Sequence, residues 1–172
     1  DLQRNGLANL ANDFLMDSQK TAYDMYKNEV ESMVRSDSLA GYQLLGLQDY
    51  PGQNTAMVGF LDSSWEQKGI IEREKIYQIY GPVIPMIELE KRVFEQGESI
   101  LFHYGLRNDL LQTLDGTLTI RLKDESEIYQ EEQLELQKVD SGYGVLGQRS
   151  WQLPTIEGTG LKAYTFEVIF QS

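Results

Sequence analysis

Gln48, Asp49, Tyr50 and Gln53 are the side chains whose types and spacing best suit them to ligand chemistry. They offer an amide, a carboxylate, a phenol and a second amide in quick succession. They follow an apolar run, Tyr42, Leu44, Leu45 and Leu47, which has the length of a buried strand at 41–49. Pro51-Gly52 then turns the chain. In barrels of alternating strands and helices, ligand-binding residues stand at this end of a strand. Each residue also has a plainer reading. Asp-Tyr-Pro-Gly forms a turn by itself, with the carboxylate as turn-former. Gln48 and Gln53 can satisfy loop backbone, and Tyr50 can pack beneath the loop.

The remaining candidates are weaker. Asn28-Glu29 is the sole Asn-Glu pair, and it falls inside a helical pattern, where it reads as a solvated pair. Glu131 and Glu132 are neighbours in a strand pattern and so face opposite ways. Trp65 would be a flat platform if exposed, and burial is the expectation. Trp151 reads as core. His103 alternates away from the apolar side of its strand and reads as a surface or interdomain residue. The chain has no cysteine and one histidine, which excludes disulfides, thiolate metal sites, a cysteine nucleophile and any catalysis by paired histidines. No Asp-x-Asp-x-Asp-Gly loop occurs, and no metal or cofactor is expected.

The elements that must position these groups change character along the chain. Residues 1–37 carry two apolar stripes at helical spacing. The first is Leu7, Leu10, Ala11, Phe14 and Leu15, and the second is Tyr23, Tyr26, Val30, Met33 and Val34. Both are expected to pack on a sheet, with Asp17-Ser18 interrupting or recapping between them. Residues 52–70 read as irregular, and Glu72–Tyr80 as a short helix stopped by Gly81-Pro82. After Pro82 the period becomes two. Ile100, Phe102, Tyr104 and Leu106 alternate, as do Leu118, Ile120 and Leu122, then Leu134 and Leu136, then Tyr164, Phe166, Val168 and Phe170. Turn clusters at 95–97, 115–116, 123–125, 140–142 and 157–160 separate them, which argues for a β-sandwich. The boundary falls near 81–90.

Composition sets outer limits. The 172 residues are 41% hydrophobic and 24% charged, near globular averages. No apolar run approaches the roughly 20 residues of a membrane helix. A net charge of −12 repels phosphate backbones, so nucleic acid is not an expected partner, whereas neutral sugars are not repelled.

The run Gly41-Tyr42-Gln43-Leu44-Leu45-Gly46-Leu47-Gln48-Asp49-Tyr50-Pro51-Gly52-Gln53 resembles the last barrel strand and following loop of family 2 glycoside hydrolases of the β-galactosidase-like type. Ser18–Arg35 resembles the helix before that strand. Thr55–Asp62 with Trp65, Lys68 and Gly69 resembles the continuation, and Val83–Val93 the start of the sandwich beyond the barrel. Past residue 95 the likeness is one of texture alone.

The resemblance implies an α+β chain in two parts. Residues 1–81 would be the end of a (β/α)8 barrel with its linker, and 82–172 an immunoglobulin-like antiparallel β-sandwich, incomplete at its C-terminal edge. It implies a retaining glycosidase in which Gln48, Asp49, Tyr50 and Gln53 contact the sugar. Such chemistry needs two carboxyls roughly 5 Å apart, and by position both would lie upstream of Asp1. The expected partners are a carbohydrate and, through exposed barrel helices or an open sandwich edge, a second copy. The implied location is periplasmic or extracellular. The alternative is a non-catalytic carbohydrate-binding or structural sandwich.

Overall fold

The helical period that starts near Leu7 becomes a 3-10 turn at Ala8–Leu10 and one continuous 24-residue helix, α1 (Ala11–Val34). The interruption expected at Asp17-Ser18 does not occur. Ser18 Oγ donates to the Leu15 carbonyl at 2.9 Å, and Thr21 Oγ1 to the Asp17 carbonyl at 2.8 Å. Hydroxyls bonded back along the turn sit inside a helix instead of capping one. The structure, a computed structural model, describes residues 1–36, 38–53, 58–69, 72–155 and 160–172. The turn expected at 157–160 therefore lies largely outside the described residues, as does Asp37.

The two stripes of α1 differ. Along the second, Val30 is buried, the Tyr26 ring stands 4.8 Å from Phe60, and the Tyr23 hydroxyl donates at 3.1 Å to the Lys75 carbonyl of α2 (Arg73–Tyr80). Leu7, Phe14 and Leu15 of the first stripe stay exposed, contrary to the packing expected of them. An apolar stripe is buried only where another element faces it, and α2 and Phe60 meet α1 at its second half.

The strand expected at 41–49 does not form either. Its regular pairing reduces to a bridge between Gln48 and Leu61, with Leu61 bridging in turn to Gln67. Leu45 is 91% exposed. A strand is stable as part of a hydrogen-bonded ladder, and among the described residues no neighbouring strand offers one. The helix α2 forms where Gly81 allows it to stop, the Gly81 N–H donating to the Tyr77 carbonyl at 2.8 Å.

The chain divides into two compact units, Asp1–Gly81 and Pro82–Ser172. Three apolar side chains of the first are buried among the described residues, Val30, Phe60 and Ile79, against eleven in the second. The large core therefore belongs to the strands: β1 (Val83–Leu89), β2 (Ser99–Asn108), β3 (Leu114–Lys123), β4 (Ile128–Val139), β5 (Gly142–Gln152) and β6 (Thr165–Gln171). They make two three-stranded antiparallel sheets, ordered β1-β2-β5 and β4-β3-β6. Alternation explains the central strands. Ile100, Phe102, Tyr104 and Leu106 of β2 point inward, as do Leu118, Ile120 and Leu122 of β3. The inner faces share a core, where the Phe102 ring lies 5.0 Å from Trp151 and 4.9 Å from Phe166. The unit is β-sandwich-like. Arg149 of β5 crosses to the other sheet and forks onto Glu132 of β4, with bonds of 2.7 to 3.0 Å.

The turn from β3 to β4 is fastened by Asp124. Its carboxylate accepts from the Lys162 ammonium at 2.8 Å, the Tyr129 hydroxyl at 2.6 Å and the Ser126 N–H at 2.7 Å. These donors, Lys162 first, hold the Asp124 carboxyl far below the usual carboxylate range. The same bond to Asp124 pushes the Tyr129 phenol up to about 12. Because the folded value is raised, the stabilisation is complete below the ordinary tyrosine value near 10 and is lost as pH rises from there through about 12. Ultraviolet titration should show a late tyrosinate phase whose amplitude Tyr129→Phe lowers by one tyrosine, the rest coming from Tyr23 and Tyr80, which burial also raises. An unchanged titration in that variant would contradict the assignment.

Candidate functional site

Asp49 is only 3% exposed. Its backbone N–H donates to the Leu61 carbonyl at 2.9 Å, and the Leu61 N–H donates to the Leu47 carbonyl at 3.1 Å, so two stretches of loop are laced together. Its Oδ1 accepts from the Gly59 N–H at 2.9 Å and from the Lys68 ammonium at 2.5 Å. Both side chains of this ion pair are largely withdrawn from solvent. A carboxylate so placed acts as a clamp on three separate pieces of chain.

Gly59 makes the clamp possible. A Cβ at this position would stand 2.3 Å from the Gln48 carbonyl carbon and 2.5 Å from the Asp49 nitrogen. Backbone cannot yield as a flexible side chain does, so Gly59→Ala should cost about 1–3 kcal/mol, the range for overpacking. Hydrogen exchange checks this: the Asp49 and Leu61 amides should open faster in the variant. Unaltered protection there would refute the close approach.

The aromatic groups lie outside the clamp. Tyr50 is 58% exposed, and its ring lies over the turn, where Gly52 leaves room for it. Trp65 is 61% exposed, which corrects the expected burial. Its backbone explains the difference. Asp62 Oδ1 accepts from the Ser64 and Glu66 N–H groups at 2.8 and 2.9 Å, and the Trp65 N–H donates to the Asp62 carbonyl at 3.1 Å. That tight turn holds Trp65 at φ 67°, a left-handed conformation uncommon for any residue but glycine. The loop is fixed below by the buried Phe60 and by the Tyr26 hydroxyl, which donates to the Val58 carbonyl at 3.0 Å.

Of the four residues singled out by sequence, Gln48 and Asp49 stand at the clamp and Tyr50 follows just outside it. Gln48 is half-buried and bridges to Leu61. The side chain of Gln53 lies outside the described residues. Lys68, the counter-ion, was not singled out as a site residue. Its signal is present all the same: from residue 36 to residue 72 it is the only Lys or Arg, and a carboxylate destined for burial needs a cation.

The other candidates are placed apart by their elements. Glu29 is exposed on α1, where Asn28, Glu29, Ser32 and Met33 border a shallow open depression. Glu131 pairs with Arg121 at 2.5 Å and Glu132 with Arg149, on opposite faces of β4. His103 is half-buried on β2 opposite Glu88 and Gln148. Among the described residues no group of three or more His, Asp or Glu side chains could hold a metal ion. No helix is long and apolar enough to cross a membrane among those residues.

What this arrangement offers chemically is a braced loop carrying two exposed aromatic faces. Exposed rings of this kind stack on the apolar faces of cyclic ligands while neighbouring amides and hydroxyls bond to their polar groups. The chain matches no family model and no curated protein.

Proposed function

We propose that this chain is part of a retaining glycoside hydrolase of the family 2, β-galactosidase-like type. It contributes one wall of the sugar site and a supporting sandwich, and the catalytic carboxylates come from other parts of the protein. The observation that carries the reading is the braced loop: Tyr50 and Trp65 are exposed on segments tied by Asp49. In this reading Tyr50 stacks on a sugar ring, Gln48 and Gln53 bond to its hydroxyls, and Asp49 lines the floor while holding the loop in register. Residues 1–81 are the end of a (β/α)8 barrel. The exposed Phe14, Leu15, Leu45 and Leu47 are apolar surface of the sort that neighbouring barrel repeats cover. Residues 82–172 are an immunoglobulin-like support, and the enzyme works on polysaccharide in the periplasm or outside the cell. A carbohydrate-binding role for the sandwich itself is disfavoured by Phe102, Tyr104 and Phe166, which face its core.

The test is a panel of chromogenic aryl glycosides, run on this chain alone and on the same chain extended upstream through a whole barrel. Activity confined to the extended protein is expected. Silence from both would sink the glycosidase reading, and activity in the short chain would relocate the carboxylates. Within the extended enzyme, Tyr50→Ala should lower kcat/KM about tenfold, on the scale of one lost aromatic contact of about 1.5 kcal/mol. Kinetics unchanged by Tyr50→Ala would remove the stacking role.

A further inference from the structure

The peptide unit between Val58 and Gly59 is held from both sides. Its carbonyl accepts from the Tyr26 hydroxyl of α1 at 3.0 Å, and its N–H donates to the Asp49 carboxylate at 2.9 Å. A peptide unit is planar, and in this trans unit the C=O and N–H point in opposite directions. A turn of the plane would therefore break both bonds together. The plane must be set from outside, because Gly59 has no Cβ to restrict it. Any side chain that could restrict it is barred by the Gln48 carbonyl carbon and the Asp49 nitrogen, 2.3 and 2.5 Å from where a Cβ would stand. Asp49, Gly59 and Phe60 are buried, so the Tyr26 hydroxyl closes the one side of this peptide that faces outward.

Tyr26 is placed for this by its helix. Its ring stands 4.8 Å from the ring of Phe60 while its hydroxyl reaches Val58, so one side chain brackets Gly59. Tyr23 lies three residues earlier on the same face of α1 and donates its hydroxyl to the Lys75 carbonyl of α2. The two phenols thus serve different neighbours, one α2 and the other the loop.

We infer that Tyr26 is a positioning residue for the loop: by fixing the Val58–Gly59 peptide it aims the Gly59 N–H at Asp49, and so sets where the segment that carries Tyr50 returns to the clamp. It touches no ligand in this role and acts through the peptide alone. Its consequence for catalysis rests on the glycosidase reading above, in which that segment seats the sugar. Its consequence for the loop does not.

Tyr26→Phe removes the hydroxyl and keeps the ring on Phe60. Hydrogen exchange of the chain should show the Gly59 amide opening about fivefold faster, on the scale of one lost hydrogen bond, with the Ile79 amide of α2 unchanged. Tyr23→Phe, the same deletion one turn away, should leave Gly59 as it was. Gly59 protection that survives Tyr26→Phe, or that falls equally in both variants, would overturn the proposal: the hydroxyl would then be a bystander or a general brace. In the enzyme extended through a whole barrel, Tyr26→Phe should raise KM about fivefold with kcat held, the mark of a poorly seated substrate. Tyr23→Phe should leave both constants alone. Faster exchange with unchanged KM would refute the seating of substrate and leave a structural bond. An unaltered extended protein without glycosidase activity would sink the sugar reading by itself, and exchange at Gly59 would still decide the role of Tyr26. Should Tyr26→Phe fail to fold, Tyr26→Met also lacks the hydroxyl while keeping apolar bulk, and the same exchange criterion applies.

Discussion

Asp49→Ala is expected to destabilise the first unit by about 3–5 kcal/mol, the cost of breaking a buried ion pair and leaving one charge uncompensated. Two donors lose their acceptor at once, the Gly59 N–H and the Lys68 ammonium. The buried Phe60, the Tyr26 hydroxyl and the backbone bonds to Leu61 still hold the loop, so the loss falls on the ion pair and its bond to Gly59. Urea unfolding followed by Trp65 emission, in a Trp151→Phe background, reads the change in the right unit. A shift below about 1 kcal/mol, in the range of an exposed pair, would mean that the ion pair does not brace the loop. A double-mutant cycle sharpens the result. Lys68→Met keeps an apolar stem but removes the cation, and the double variant should be less destabilised than the sum of the singles. The same cycle separates two roles in the proposed enzyme. Lys68→Met should lower kcat/KM as Asp49→Ala does if Asp49 acts by positioning the loop. It should leave kcat/KM largely intact if the Asp49 carboxylate itself touches sugar.

Phe102→Ala should cost the sandwich about 3–5 kcal/mol, as for other large buried aromatics. Phe102 is fully buried and bridges the sheets, in contact with Trp151 on its own side and Phe166 on the other. Its loss leaves a void between Trp151 and Phe166, which regular ladders cannot collapse into without breaking register. Trp151 reports directly: its emission should shift to the red and its unfolding midpoint should fall. A variant within about 1 kcal/mol of the parent would show that the sheets can close over the gap, the behaviour of a loosely packed site.

The strands β2, β3, β4 and β6 were legible because each buries one face, and one-sided burial writes a period of two into the sequence. The strand β5 was not, and glycine is the reason. A Cβ on Gly147 would lie 2.5 Å from the Tyr104 hydroxyl, so the position answers to a ring on the next strand and carries no polarity of its own. The helix α1 was legible as helix but not as one piece, since Ser18 and Thr21 look the same in a cap and in a back-bonded interior turn. The run at 41–47 has strand composition, yet composition does not supply a partner. At the site, the carboxylate and the phenol were visible as types. The ion pair with Lys68 was hidden by a separation of nineteen residues. The exposure of Trp65 depends on a backbone angle that no hydrophobicity pattern encodes.

The bond from the Gly59 N–H to the Asp49 carboxylate also separates the length of the loop from the stability of its ends. Because the ends are pinned, the closure entropy of the stretch between them grows slowly with its length, about 0.6 kcal/mol for each doubling. Residues could be inserted or removed between Gln53 and Val58 while Asp49, Gly59 and Lys68 stay as they are. The segment is in that sense an exchangeable cassette. Lineages descended from a common ancestor should differ there by whole insertions and deletions, and elsewhere around the clamp by substitution alone.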